Sequence, residues 1–303
     1  MSREQRDTLD KLLRDGPLDI GGDPNVQRPL FEAMAGAQPV PGDVTVSQRV
    51  LGGIPVVDIV VAATHESDVI LYFHGGGYVL GSASASVGLA SDLGRHAKAR
   101  AISVDYRLAP EHPHPIAVDD ALSAYRGLLE EGQSASQIAV AGESAGAGLT
   151  LAALIAARNA GLPLPCAAVL MSPWADLTLS GASMTNRAAV DPVLSAAALR
   201  KRADDYAGIQ DRAAPLISPL FADLHGIPPL LIQAGSHEVL LDDAIRLAAH
   251  AASADVDISL EITAGVPHVF QGFAGILDEA GTALASAGAF IRRHLDSRSQ
   301  GGA

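Results

Sequence analysis

Apolar and polar positions change rhythm along this chain. Over residues 3–14, Leu9, Leu12 and Leu13 share one face of an otherwise charged segment, which predicts an amphipathic helix stopped by Gly16-Pro17. A second short helix is expected around residues 28–35, and Pro39, Pro41 and Gly42 mark a boundary after it. Residues 44–50 and 54–62 alternate and are rich in β-branched side chains, with Gly52-Gly53 between them as the signal of a tight hairpin. From residue 68 the rhythm becomes strand–helix alternation. Val69-Ile70-Leu71-Tyr72-Phe73 is a continuous apolar run, as expected of a strand covered on both faces. Further strands are predicted at 101–104, 138–141, 167–171, 229–233 and 258–263, with helical runs at 85–97, 116–129, 148–158, 242–252 and 278–294. This alternation predicts a mostly parallel sheet with helices on both faces, and a ligand site at the C-terminal ends of the strands. Between Trp174 and Ser218 no strand is visible, and Asp191-Pro192 is expected to open a helical run reaching Tyr206. That stretch reads as an inserted lid which, with the N-terminal helices, covers the sheet's active edge. The last residues, 297–303, are expected to fray.

Gly142-Glu143-Ser144-Ala145-Gly146 lies between a predicted strand and an Ala/Leu-rich helical run, the context a G-x-S-x-G nucleophile elbow requires. Small residues let backbone approach backbone at a sharp turn. The serine hydroxyl then sits near a helix N-terminus, where developing negative charge is favoured. Alone, such a pentapeptide is as often a small-residue turn without chemistry. His74-Gly75-Gly76-Gly77 directly follows the 69–73 strand. Its glycines leave backbone N–H groups unobstructed, as a tetrahedral oxyanion needs. No G-K-[ST] follows, which argues against a phosphate loop. His74 precedes the serine, the wrong order for the base in a fold whose triad runs Ser, acid, His. Residues 105–113 follow the next strand and are expected to brace the loops near the elbow. His112 and His114 lack a third-ligand pattern, so a metal pair is the weak reading there.

Residues 74–77, 105–113 and 142–146, in this order, resemble the hormone-sensitive-lipase-like family of α/β-hydrolase esterases. The similarity extends to Ser218-Pro219-Leu220, Pro228-Pro229 and the C-terminal histidine region, and spans about residues 45–295. It implies an α/β-hydrolase fold, an eight-stranded, mostly parallel sheet with helices on both faces and a helical cap. Residues 1–42 would supply N-terminal cap helices, and residues 43–303 the catalytic domain with a cap insertion around 180–215. It also implies hydrolysis of carboxylic esters, often with short acyl chains, without metal or organic cofactor. Carried over by position, Ser144 matches the nucleophile, Gly76, Gly77 and Ala145 the oxyanion donors, and His268 the base.

The acid is where the chain departs from the family pattern. The family usually has Asp-Pro-Leu-x-Asp; here the stretch is Glu238-Val239-Leu240-Leu241-Asp242, so Glu238 takes the position of the catalytic Asp and Asp242 the second acidic position. A glutamate can serve, because the role is to hold the imidazole tautomer and stabilise imidazolium; Asp242 is the alternative. Glu143, where the family commonly has Asp, is expected to orient the elbow or a neighbouring loop.

Composition narrows the partners. The formal net charge is -13 with a sequence pI near 5.1, dispersed along the chain, which argues against nucleic acid and anionic membrane. The single cysteine, Cys166, excludes an internal disulfide and is expected in the core. No signal-peptide h-region and no apolar run of transmembrane length are visible, so a soluble cytoplasmic protein without stable membrane insertion is expected. The reading is a serine carboxylesterase acting on small or short-acyl esters through an acyl-enzyme. A lactone hydrolase with the same triad is the alternative, and a homodimer stays open. The family fold also resembles a plant hormone receptor that binds without catalysis and lacks the histidine; His268 favours the enzyme.

Overall fold

The computed structural model describes residues 3–35 and 40–297. α1 (Arg3–Arg14) and α2 (Pro24–Ala35) precede the hairpin of β1 (Val44–Leu51) and β2 (Ile54–Val61). Gly52 and Gly53 take φ of 56° and 84°, the left-handed values a two-residue turn needs to match strand twist. β3 (His65–Phe73), α3 (Val87–Ala97), β4 (Ala99–Val104), α4 (Ile116–Glu130), β5 (Ile138–Glu143), α5 (Ala145–Asn159) and β6 (Ala167–Met171) then alternate. An interval carrying α6 (Ser183–Asn186) and α7 (Ala196–Ala207) interrupts them. β7 (Leu230–His237), α8 (Leu241–Ser253), β8 (Ile258–Pro267) and α9 (Asp278–Asp296) complete the order.

The eight strands form one sheet in the order β1-β2-β4-β3-β5-β6-β7-β8. The β1–β2 and β2–β4 pairs are antiparallel and the rest parallel: the mostly parallel sheet expected from the alternation, in the α/β-hydrolase fold that the resemblance implied. Val69 to Phe73 are wholly enclosed, which is why that strand reads as an unbroken apolar run. Leu71, Phe73, Val140 and Ile232 face one helical layer, built on α4, α5 and α8. Ile70, Tyr72, Ala139 and Val169 face the other, built on α3 and α9 and including Cys166. Successive side chains of one strand therefore serve both layers. Each fully buried Leu, Ile or Phe contributes about 1.5–3 kcal/mol of transfer free energy. Register then levels the strand ends: Phe73 pairs with Gly142, and Glu143 with Met171. The loops after β3, β5 and β6 thus start side by side.

Several elements differ from the sequence pattern. The helical run expected from Asp191 begins only at Ala196, where the Ser195 hydroxyl accepts from the Ala198 N–H at 3.2 Å. Asp191 does other work: its carboxylate accepts from the N–H groups of Val193, Leu194 and Val239, each at 2.8 Å. The short α6 gave no periodic signal. α2 starts four residues earlier than expected, with Pro24 at its first position and Asp23 accepting from the Asn25 N–H at 2.9 Å. β8 runs to Pro267, past the expected 263, because His237 of β7 pairs with Pro267 beyond an irregularity at Gly235. The boundary at Pro39 and the expected fraying beyond Ser297 lie outside the described residues.

The N-terminal segment touches both the sheet edge and the inserted interval. Leu9 is buried among Val266, Phe270, Leu277 and Ala280. Arg14 donates to the Val190 carbonyl at 3.2 Å, and Lys201 and Arg202 donate to the carbonyls of Gly21 and Gly22 at 2.7 and 3.1 Å.

Candidate active site

The turn from β5 into α5 holds Ser144 at φ 56° and ψ −122°, outside the regions open to ordinary residues. Such strain costs on the order of 1–3 kcal/mol and persists only where surroundings over-determine it. Here they do. The Ser144 N–H donates to the Met171 carbonyl at 2.9 Å, and its carbonyl accepts from Ala147, Gly148 and Trp174 at 3.0–3.2 Å. A Cβ at Gly146 would lie 2.0 Å from the Phe73 carbonyl oxygen, so only glycine lets α5 start that close to β3.

The loop after β3 turns back on itself at Gly76, whose φ is 112° and whose carbonyl accepts from Val79 and Leu80 at 3.1 and 2.8 Å. Among the described residues the N–H groups of Gly76 and Gly77 donate to no protein acceptor. Ala145 opens α5, so its N–H is one of the helix's orphaned donors. His74 is buried, stacks on Tyr106 with centroids 4.2 Å apart, and lies 2.8 Å from the Gly75 carbonyl through Nδ1. Burial pulls its imidazole down to about 4. His74 is a neutral brace for the loop.

His268 stands one residue past β8, with Nε2 2.9 Å from the Ser144 hydroxyl and Nδ1 2.5 Å from a Glu238 oxygen. Glu238 is 0% exposed, and its other oxygen accepts from the Gly235 N–H at 2.7 Å and the Ser172 hydroxyl at 3.1 Å. Every contact a buried carboxylate requires is therefore supplied. Asp242 and Asp243 sit in the first turn of α8 and point elsewhere. Asp242 accepts from the Ser183 N–H, and Asp243 from those of Ala175 and Asp176, all at 2.9 Å. Burial, and Asp176 nearby, push the Asp243 carboxyl well above its usual range. These carboxylates tie the inserted interval and the loop after β6 to α8.

Sequence reasoning missed Ser172. Its hydroxyl donates to Glu238 and accepts from the Val269 N–H at 3.0 Å, so one oxygen joins the loops after β6, β7 and β8. The available signal was a hydroxyl residue in Met171-Ser172-Pro173, just past a buried parallel strand. The 105–113 segment braces its neighbours as expected. Asp105 accepts from the Ala83 N–H at 3.0 Å, and Glu111 pairs with Arg28 at 2.6 Å. His112 is exposed, while His114 meets the Tyr206 ring edge-on and Gln210 at 3.0 Å, so the two do not converge. No group of three or more His, Cys, Asp or Glu residues suited to hold a metal occurs among the described residues.

Glu143 links elbow to loop: its carboxylate accepts from the Gly75 N–H at 2.7 Å and from the Tyr72 hydroxyl. Burial raises it from 4.5 to about 7, against the opposing pull of those hydrogen bonds and of His268. Between those values the folded protein keeps a proton that the unfolded chain has released. The stability this group contributes is therefore full below about pH 4.5 and is lost as pH rises through about 7. Glu143→Gln removes that dependence. Relative to the parent, the variant should gain stability on the order of 3 kcal/mol between pH 4.5 and pH 8, at about 1.36 kcal/mol per unit. Denaturant unfolding of both proteins across that range reads the difference directly; a constant difference would show that Glu143 titrates normally.

A family model described as an alpha/beta hydrolase fold matches residues 70–272. An acetyl-hydrolase of Streptomyces hygroscopicus is 45% identical over 250 residues, covering 79% of this chain and 84% of its own. An esterase of Acinetobacter venetianus is 35% identical over 275 residues, 90% of each chain. The crystal structure of an esterase from the bacterial hormone-sensitive lipase family superposes with a TM-score of 0.94 at 41% identity, over 97% of this chain and 99% of that one. The chain belongs to the hormone-sensitive-lipase-like family of α/β-hydrolase esterases. It is a carboxylic ester hydrolase. No helix among the described residues is long and apolar enough to cross a membrane.

Proposed function

We propose that this enzyme hydrolyses small carboxylic esters with short acyl chains through an acyl-enzyme on Ser144. The observation that carries this is the line of contacts from the Ser144 hydroxyl to His268 at 2.9 Å and on to Glu238 at 2.5 Å. The Ser144 oxygen attacks the ester carbonyl carbon while its proton passes to His268 Nε2. The carbonyl oxygen becomes an oxyanion, met by the N–H groups of Gly76, Gly77 and Ala145. The intermediate collapses, the C–O bond to the alcohol breaks, and His268 returns the proton to the departing alkoxide. Water, deprotonated by His268, then attacks the acyl-enzyme; its collapse releases the acid and reprotonates Ser144. Glu238 keeps the His268 Nδ1–H turned toward itself and stabilises the imidazolium. The N-terminal helices α1 and α2, with residues 180–215, form the cap over this edge, supported by the Lys201 and Arg202 bonds to Gly21 and Gly22. The acetyl-hydrolase relative supports a small acyl group.

The test is a series of 4-nitrophenyl esters from acetate to decanoate, with a fluorophosphonate probe mapped by peptide mass. Turnover is expected to peak at short acyl length, with the probe on Ser144. A label elsewhere would remove the nucleophile assignment, and a peak at decanoate would remove the short-chain one.

A further inference from the structure

α7 carries an arginine that the reaction just described does not use and whose donors the fold meets only in part. The Arg202 side chain is 0% exposed. Its stem lies over the oxyanion loop: a Cβ on Gly77 would meet Arg202 Cγ at 3.0 Å. A guanidinium has five N–H donors in a fixed fork. Here Nη2 donates to the Gly22 carbonyl at 3.1 Å and faces Asp205 at 3.0 Å, while Nε and Nη1 are buried with no hydrogen-bond partner among the described residues. Asp205 is a poor counterion. The oxygen facing Arg202 makes no aligned hydrogen bond, and burial raises its carboxyl above the usual range. Leaving charged donors buried and unmet is costly, and in a native protein it calls for a reason.

We propose that Arg202 receives a carboxylate carried on the acyl part of the substrate, so that the enzyme prefers esters of half-ionised dicarboxylic acids. This deepens the esterase reading above and rests on it. The sheet order assigns the side. β3, which leads to Gly77, and β8, which leads to His268, lie on opposite sides of β5. The leaving oxygen has to reach His268, so a group directed toward Gly77 and Arg202 belongs to the acyl half. A planar carboxylate matches one edge of the guanidinium fork in two parallel bonds; here that edge joins the unmet Nη1 to Nη2, so binding draws Nη2 away from Gly22 and Asp205. Entry requires α7 to give way, and α7 is held to the N-terminal segment here by the Lys201 and Arg202 bonds to two glycine carbonyls.

The experiment compares two substrates of equal length, the mono-4-nitrophenyl ester of adipic acid and that of its half-amide, which differ in charge. The wild-type ratio of kcat/KM, anion over amide, is expected to be at least about tenfold, a floor far below the roughly 10⁴–10⁵ by which a site built for a polar group rejects an analogue lacking it, because the amide keeps part of the hydrogen bonding. Arg202→Met should bring the ratio to about one or below, and Arg202→Lys should retain part of it, since lysine keeps the charge but not the fork. A wild-type ratio near one, or a ratio unchanged in Arg202→Met, overturns the proposal. So does a charge preference seen instead between 4-acetoxybenzoate and 4-acetoxybenzamide, where the charge rides on the leaving group. If Arg202→Met shows no cooperative melt, the wild-type ratio and Arg202→Lys still decide. If the wild type releases nitrophenol from neither adipate ester nor from the acetate, the esterase reading falls and this inference with it. If all are hydrolysed at a flat ratio, only this inference falls.

Discussion

Ser144→Ala is expected to lower kcat for 4-nitrophenyl acetate by at least about 10⁴-fold, the scale on which removing a serine nucleophile disables a triad that acts as a unit. The fold should persist. Among the described residues the hydroxyl makes one hydrogen bond, to His268. The strained φ of 56° is maintained by backbone bonds to Met171, Ala147, Gly148 and Trp174, which alanine keeps. The change therefore separates chemistry from architecture. A melting curve like the parent's, with fluorophosphonate labelling lost, is the expected pair of results. Retained turnover at a tenth of the parental rate would mean that another nucleophile attacks the ester.

Glu238→Gln is expected to cost at least about 10² in kcat, since replacing the triad acid by its amide costs about 10⁴ in a serine protease. The amide fits the same space and can still accept from Gly235 and Ser172. Its NH₂ group would then face His268 Nδ1, which favours the tautomer with the proton on the wrong nitrogen. Asp242→Asn is the paired control. Asp242 accepts from Ser183 and lies in the first turn of α8, so its charge complements the helix dipole at about 0.3–1 kcal/mol. That variant should lose a little stability and keep its turnover. The reverse pattern, with Asp242→Asn disabled and Glu238→Gln near normal, would reassign the acid and leave the ester chemistry in place.

Much of this arrangement was legible because it is local. The unbroken apolar run at Val69 to Phe73 identifies a strand covered on both sides, and small residues around Ser144 identify a turn where backbone meets backbone. His268 was assigned through its place in a pattern, since nothing in its own neighbourhood in the sequence marks a base. What stayed hidden depends on contacts between distant residues. Ser172 matters only because the loops after β7 and β8 arrive beside it. Asp191 looks like a helix opener, yet its carboxylate is satisfied by its own turn and by Val239, next to Glu238, so the helix waits until Ala196. Arg202 follows Lys201 in the helical run expected to reach Tyr206, and only the packing of α7 on the oxyanion loop encloses it.

The spacing of the site along the chain has a consequence for how the enzyme comes to life. Ser144 and His268 are 124 residues apart, and Glu238 lies between them. During synthesis the chain emerges at about 5–20 residues per second, N-terminal parts first. The elbow and its strands β3, β4 and β5 can therefore be made several seconds before the histidine exists. On the roles proposed above, the nascent chain holds throughout that interval a serine without its base. Hydrolytic activity is then expected only once β8 has emerged and been added to the sheet's edge, so that onset of turnover in a cell-free translation would report the arrival of that strand.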